Sequence, residues 1–248
     1  MQEQSRRTGF SGPKLIRLLA RLKNADIPES RQSPSDRLSL WLGWTDAIAL
    51  SAALSSTPPA VSGSLFTPGD TEERECVRVR TGLESTITGS NAPAPSRQRG
   101  QLRARVQDDA GAPEAIEYAT YRRRYAYLQQ TMETNIGHLR RRVRSTLTAM
   151  TPELIRLAAV DAVMEQALGA HERSLLASVP TLLEGHFKRL QLAEQEALAD
   201  AQASEETSTV TPGAWLEVFR KDMESVLLAE LDIRFQPIEG LLAATRAC

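Results

Sequence analysis

The sequence predicts an all-α protein, and three observations support that class. Aromatic residues are only 5% of the 248 residues, and Leu, Ala, Arg and Glu are abundant, which favours helices over β-sandwiches or barrels. Apolar residues recur at three- and four-residue steps through much of the chain, the period of a helix. Ser-Pro and Thr-Pro pairs stand where helices would begin, because Ser and Thr are favoured at the N-cap of a helix and Pro at its first position. We expect a small N-terminal helical hairpin, flexible linkers and an elongated antiparallel helical bundle built on one long helix.

Residues 1–54 are predicted to form the N-terminal hairpin. Its first helix opens at Pro13 and carries four leucines on one face. Ser33 and Asp36 have the spacing of a capping box and start a second helix that continues to about Leu54. This second helix contains a stripe at helical spacing, so we expect it to be buried against the first helix and not to dip into a membrane interface. The stripe comprises Leu38, Trp41, Leu42, Thr45, Ile48, Ala49 and Ala52.

Residues 55–112 are predicted to be mostly disordered linker. Ser, Pro, Thr and Gly dominate at 55–69, and such a composition cannot bury enough apolar surface to offset the entropy lost on ordering. A short amphipathic helix near 71–88 interrupts the linker. Its apolar face comprises Cys76, Val79, Leu83 and Ile87.

The remaining residues, 113–248, are predicted to form the elongated bundle. Its longest helix begins at Pro113, continues to about Met150 and carries a coiled-coil-like apolar seam. A helix of that length needs other long helices beside it. The seam comprises Tyr118, Tyr121, Tyr125, Leu128, Met132, Ile136, Leu139, Val143 and Leu147.

Further helices follow the long one. Thr151 is expected to cap the next helix, and Pro180 to produce a kink or break near Val179, because proline has no backbone donor. Thr211 precedes another helix start. By the same reasoning Pro237 is expected to end that helix and leave a last short one.

Charge is divided unequally along the chain. Up to Met150 there are 22 Arg and Lys against 15 Asp and Glu, a net of +7, and from Thr151 there are 8 against 16, a net of -8. The total of -1 hides this division. Such asymmetry indicates electrostatic pairing within the chain, between copies, or with a polyanion, and the sequence leaves these alternatives open.

Two arginine clusters are candidates for nucleic-acid binding, because spaced arginines can follow a phosphate backbone. Consecutive arginines spread around a helix, however, so pairing with the carboxylates of neighbouring helices is the simpler interpretation. The clusters comprise Arg122, Arg123, Arg124, Arg140, Arg141, Arg142 and Arg144.

No motif points to an enzyme. The histidines are His138, His171 and His186, and none has a second His or Cys at the three- or four-residue spacing of a metal site on a helix. Cys76 and Cys248 form no disulfide framework. We therefore expect no catalytic residue, metal or cofactor, and a cytoplasmic protein without membrane insertion, because the start of the chain is polar.

Three aromatic residues near the start of the chain are candidates for contact with a protein partner. Trp41 and Trp44 lie one helical turn apart, and Phe10 lies in the polar entry segment. Aromatic side chains often anchor interfaces. A non-catalytic adaptor or scaffold acting through protein-protein interaction or self-association is thus the favoured function, and a nucleic-acid-binding regulator is the alternative.

The sequence also resembles a known family. Residues Arg7 to Gly12, the segment Leu18 to Leu22, the segment Asp36 to Ile48, and Ala229 to Asp232 before Gln236 and Pro237 resemble the uncharacterised bacterial domain of unknown function 3348. The resemblance covers nearly the whole chain and supplies no catalytic residues. It implies no known activity and favours an adaptor in an envelope-associated bacterial complex.

Overall fold

The computed structural model describes residues 13–24, 33–56, 69–89, 118–203, 211 and 213–247. Within these ranges the chain forms eight α-helices and no strand, which confirms the predicted all-α class. The helices are α1 (Lys14–Lys23), α2 (Pro34–Trp41), α3 (Trp44–Ser55), α4 (Gly69–Gly89), α5 (Tyr118–Leu147), α6 (Pro152–Leu176), α7 (Val179–Ala203) and α8 (Ala214–Ala247).

Helix α8 is the centre of the fold. It contacts α1, α4, α5, α6 and α7, and its buried side chains are not confined to one stripe, as expected for a helix surrounded by others. The largest of them are Phe219, Met223, Leu227, Leu231, Phe235, Ile238, Leu241 and Leu242.

The predicted break at Pro237 is wrong. Helix α8 continues through Pro237 to Ala247, although proline removes one backbone hydrogen bond from the helix. Phe235 and Ile238, on either side of the proline, are both fully buried. Their burial offsets the missing bond, so the helix persists where an exposed helix would end.

The apolar seam of the long helix is confirmed. From Tyr125 to Leu147 every predicted seam residue is buried, and Tyr118 and Tyr121 pack against the same core. Helix α5 is 30 residues long, about 45 Å at 1.5 Å per residue, and it packs against α4, α6, α7 and α8. Its predicted start at Pro113 lies outside the described residues.

The amphipathic helix predicted near 71–88 is also confirmed, as α4. Its predicted face is turned inward, with Cys76, Leu83 and Ile87 buried and Val79 partly buried. Helix α4 packs against α5 and α8. The predicted linker segments 57–68 and 90–117 lie outside the described residues.

The first two predicted helices do not form a hairpin with each other. Helix α1 packs against α7 and α8, whereas α2 and α3 pack against α6. The reason lies in the larger core that other helices offer: Leu15 and Leu22 are buried in the main cluster. An Arg189 guanidinium also donates a hydrogen bond to the carbonyl of Leu22.

The prediction of one continuous, buried helix through the two tryptophans is also wrong. The capping box at Ser33 and Asp36 is confirmed, but the helix stops at Trp41 and a new one starts at Trp44 at an angle of 116°. Gly43 donates its backbone N–H to the Asp46 carboxylate at 3.0 Å, so a second capping signal outweighs the continuous apolar pattern. The predicted stripe is largely exposed.

Basic and acidic parts of the chain pair with each other inside one molecule. Between α5 and α6, Arg140 and Arg144 each contact Asp161, at 2.6 and 2.8 Å. Arg21 of α1 contacts Asp222 of α8 at 3.3 Å. Arg80 of α4 bridges to Asp232 and Glu239 of α8. Pairing within the chain, left open by the sequence, thus accounts for part of the charge asymmetry.

Among the residues described, no single helix combines the length and apolarity needed to cross a membrane. The bent pair of α2 and α3 meets those criteria of length and composition only when both helices are taken together.

Replacing Val143 with Asp is expected to unfold the bundle or to lower its stability by about 4 kcal/mol or more, because an unpaired charge would enter the α5 seam. Val143 is only 1% exposed. Thermal denaturation followed by circular dichroism measures the effect. Ala126→Asp, at an exposed position of the same helix, is the control, and equal melting temperatures for both variants would contradict the packing of the seam.

Candidate binding groove

A groove lies between α5, α6 and α8, with Trp41 at one edge. We call it the Trp41 groove. It has a volume of about 540 Å³ and is partly open to solvent. Its surface is mainly apolar, and the apolar lining residues are Trp41, Ile136, Met164, Leu168, Leu175, Ile233 and Pro237.

Two glycines make room for the groove. Gly137 of α5 and Gly169 of α6 both line it, although glycine inside a helix costs about 1 kcal/mol relative to alanine. A Cβ atom at Gly137 would be 3.8 Å from Arg141 Nη1, and at Gly169 it would be 3.4 Å from Arg173 Nη1. Both distances are ordinary contacts, so the glycines widen the groove without being required by a close backbone approach.

Pro237 contributes a polar feature to the same surface. In a regular helix the N–H of residue 237 would donate to the carbonyl of Ile233, and proline cannot do so. Both Ile233 and Pro237 line the groove. This wall therefore contains a backbone carbonyl whose usual helical donor is missing.

Trp41 is positioned by a contact with α6. Its ring lies against the His171 ring, with centroids 4.2 Å apart and planes inclined by 38°. The Trp41 side chain is nevertheless 41% exposed. An aromatic surface is thus held at the mouth of the groove with one part packed and another part accessible.

A buried polar network stands behind the groove. Glu230 of α8 is fully buried and accepts hydrogen bonds from Tyr125 Oη at 2.8 Å and from Gln129 Nε2 at 3.0 Å. Arg234, one turn later and also a lining residue, donates to the same carboxylate from Nη2 at 2.8 Å. Gln129 Nε2 also donates to the carbonyl of Leu176 at 3.1 Å. The network therefore joins α5, α6 and α8.

Burial and the neighbouring Glu230 charge raise the pKa of Tyr125 well above its ordinary value of 10.0. Both causes disfavour the phenolate, because an ionised tyrosine would be desolvated next to a negative carboxylate. Tyr125 is therefore a hydrogen-bond donor to Glu230 over the whole physiological pH range.

The charges at the rim of the groove are already paired. Arg173 contacts Glu133 at 3.5 Å, and Arg234 contacts Glu172 at 3.6 Å. Glu165 contacts Arg144 at 2.5 Å. Three glutamates and three arginines line the groove, so it has no dominant charge that would select a strongly charged ligand.

The candidate residues from the sequence are brought together only in part. Trp41 lines the groove, whereas Trp44 lies outside it and is 82% exposed on α3. Phe10 lies outside the described residues.

The first arginine cluster lies on the N-terminal part of α5. Arg122 and Arg123 are exposed, and Arg124 is half-buried. Arg124 Nε is buried and has no hydrogen-bond partner within the described part of the chain. Burial also lowers the pKa of Arg124 below its ordinary value.

The second arginine cluster is occupied by contacts within the chain. Arg140 and Arg144 are both 13% exposed and pair with carboxylates of α6. Arg142 contacts Glu72 of α4 at 3.1 Å, and Arg141 contacts Nδ1 of His138 at 2.9 Å. Arg140 and Arg144 share the same carboxylates of α6, whereas the other two arginines have separate partners, so the four side chains do not form one continuous basic surface.

Sequence reasoning missed the network around Glu230. A signal was present, since Glu230 and Arg234 are spaced for an ion pair on one helix face within a segment rich in buried apolar residues. Gln129 carried no comparable signal. In the described ranges no group of three or more His, Cys, Asp or Glu side chains could hold a metal ion.

The fold and the groove define an all-helical protein with an apolar groove backed by a buried ionic network. The chain belongs to the family described as "Protein of unknown function (DUF3348)", whose model matches residues 1–247. No curated protein and no solved structure matches the chain. Two segments that carry the family resemblance, around Trp41 and around Pro237, meet at the groove.

Replacing Tyr125 with Phe is expected to reduce stability by about 1 to 2 kcal/mol below pH 10, because Glu230 loses one donor. Above pH 10 the unfolded chain loses the tyrosine proton before the native state does, so wild-type stability falls as pH rises. The variant should show a shallower fall. Urea denaturation at several pH values between 8 and 11 measures both effects.

Tyr118→Phe is the control for that experiment, because the pKa of Tyr118 is also raised, to about 12, mainly by burial. Tyr118→Phe should reduce the fall in stability at alkaline pH by a separate amount of its own. If Tyr125→Phe left both the stability at pH 8 and the alkaline slope unchanged, the buried network would be contradicted.

Proposed function

We propose that this protein is a non-catalytic helical adaptor that binds an apolar segment of a protein partner in the Trp41 groove. The observation that carries the proposal is the groove itself: a solvent-open apolar channel of about 540 Å³ with a fixed aromatic edge. Open apolar grooves between helices commonly accept an amphipathic helix or an extended segment through a few apolar anchors.

The rim charges support a polypeptide ligand over a charged small molecule. Glu133, Glu165 and Glu172 each have an arginine partner, so an isolated charged ligand would have to compete with an existing ion pair. An apolar side chain needs no such exchange. Contacts with Ile136, Leu168 and other floor residues would provide affinity, and the rim pairs would provide orientation.

The helices that form the groove are already held together, so binding there would cost little conformational entropy. All three walls are long helices, and the network at Glu230 connects them behind the groove. A preformed site loses less entropy when it binds than a site that must first be assembled.

Nucleic-acid binding, the alternative from the sequence, gains no support from a specific observation. Arg140 and Arg144 are engaged with Asp161 and Glu165, and nucleic acid would have to displace those pairs. Arg122 and Arg123 alone do not provide a surface that follows several phosphates.

Leu175 and Leu192 allow a matched test of the proposal. Leu175 lines the groove and is 55% exposed, and Leu192 lies on α7 and is 54% exposed. A photoreactive benzoylphenylalanine at position 175 of the full chain in cells should cross-link one defined protein, whereas the same probe at position 192 should not. Mass spectrometry identifies the product.

Leu175→Glu, combined with a probe at Trp41, should then reduce the yield of that cross-link about tenfold, which corresponds to ~1.4 kcal/mol. Leu192→Glu should leave it unchanged. Equal products from both probe positions, or a product made of two copies of this chain, would contradict the adaptor proposal.

A further inference from the structure

The outward face of α3 is an apolar surface outside the groove. Trp44 is 82% exposed and Ile48 is 53% exposed on this helix, and Leu40 of the adjoining α2 is 72% exposed. Several large apolar side chains exposed together usually indicate an interaction site.

This face is held in a fixed orientation. Ala53 on the opposite side of α3 is buried, and α3 packs along α6. At the end of the helix, Arg156 Nε donates to the carbonyl of Ser56 at 3.2 Å. At its start, the cap formed by Gly43 and Asp46 fixes the angle to α2. The exposed face therefore results from packing on its other side.

The segment from Leu38 to Ser56 contains one charged residue, Asp46. That carboxylate is half-buried and accepts the Gly43 N–H. A symmetric contact between two copies brings a surface against itself, and like charges normally oppose it. Here almost no charge opposes it. The absence of Lys and Arg also removes the attraction to anionic lipids that surface-bound amphipathic helices use, so the charge pattern favours a second copy over a bilayer.

The arrangement of large and small residues favours an antiparallel pair. Trp44, Ile48, Ser51 and Ser55 fall within about 60° of one another around the helix. The two large side chains lie in the first half of α3 and the two small ones in the second half. In an antiparallel pair in which the two α3 helices overlap fully, Trp44 opposes Ser55 of the other copy, and Ile48 opposes Ser51. Large residues thus meet small ones at both ends.

We infer that the protein forms a twofold homodimer through the outward face of α3, with α3 of each copy antiparallel to α3 of the other. This inference is independent of the proposed groove ligand. Helix α3 has 12 residues and is about 18 Å long, which is short for the ~800 Å² per partner of a standard interface. Leu40 of α2, which is 72% exposed, extends the contact, and the dimer dissociates on dilution.

Charge substitutions across the twofold axis test this inference directly. Light scattering of the full chain should give twice the chain mass of 27.3 kDa at high concentration and the single mass on dilution. The double variants Ile48→Glu with Ser51→Glu, and Ile48→Lys with Ser51→Lys, should each be monomeric because like charges face each other. An equimolar mixture of the two should regain the dimer mass.

Val218→Glu is the matched control, since Val218 is a β-branched residue on α8 with 48% exposure, close to that of Ile48. It should dimerise like the wild type. Circular dichroism of the double variants confirms that they remain folded.

Three results would overturn the inference. A wild type that is monomeric at every concentration would exclude self-association, and a dimer that persists in both double variants would use another surface. Binding of the wild type to phosphatidylcholine and phosphatidylglycerol vesicles, with a blue shift of tryptophan emission that Trp44→Ala abolishes and no dimer in solution, would identify a bilayer as the occupant.

Discussion

The burial of Glu230 constrains the arrangement of the whole bundle. A carboxylate with no solvent contact is tolerated only when it is paired and hydrogen-bonded, so Tyr125, Gln129 and Arg234 must remain within reach of it. These partners fix the separation of α5 and α8, and the bond from Gln129 to the Leu176 carbonyl fixes the end of α6. The groove is the surface left open between these three helices. Its shape therefore depends on a buried carboxylate that does not itself line the groove.

Charge asymmetry along the chain has a structural use in this fold. Basic side chains of α1, α4 and α5 face acidic side chains of α6 and α8. The opposite net charges of the two halves of the chain are therefore partly neutralised where these helices meet. Such pairs add modestly to stability when exposed, and they select which helices become neighbours when buried. Arginine suits this role because its planar group can contact two carboxylates at once, as Arg140 does with Asp161 and Glu165.

Local sequence patterns predicted much of the secondary structure, but they did not predict which helices pack against each other. The α5 seam, the inner face of α4 and the capping box at Ser33 follow from spacing along one segment. The partner of α1 does not, because several apolar faces compete for the same leucines. The predicted helix end at Pro237 was wrong because burial of the neighbouring residues outweighs the loss of one backbone hydrogen bond. The helix break at Gly43 was not predicted because the apolar stripe continues through it in the sequence. Of the candidate site, Trp41 was found from its residue type, but the groove depends on contacts between distant segments.

Helix α1 depends on residues that follow much later in the chain. Arg21 contacts Asp222, 201 residues later, and the Leu22 carbonyl contacts Arg189, 167 residues later. At a synthesis rate of ~5–20 residues per second, roughly 10 to 40 s separate the appearance of α1 from that of its partners. During translation Leu15 and Leu22 therefore have no native surface to cover them. Helix α1 therefore leaves the ribosome well before the helices it packs against, and its sequence must remain soluble during that interval.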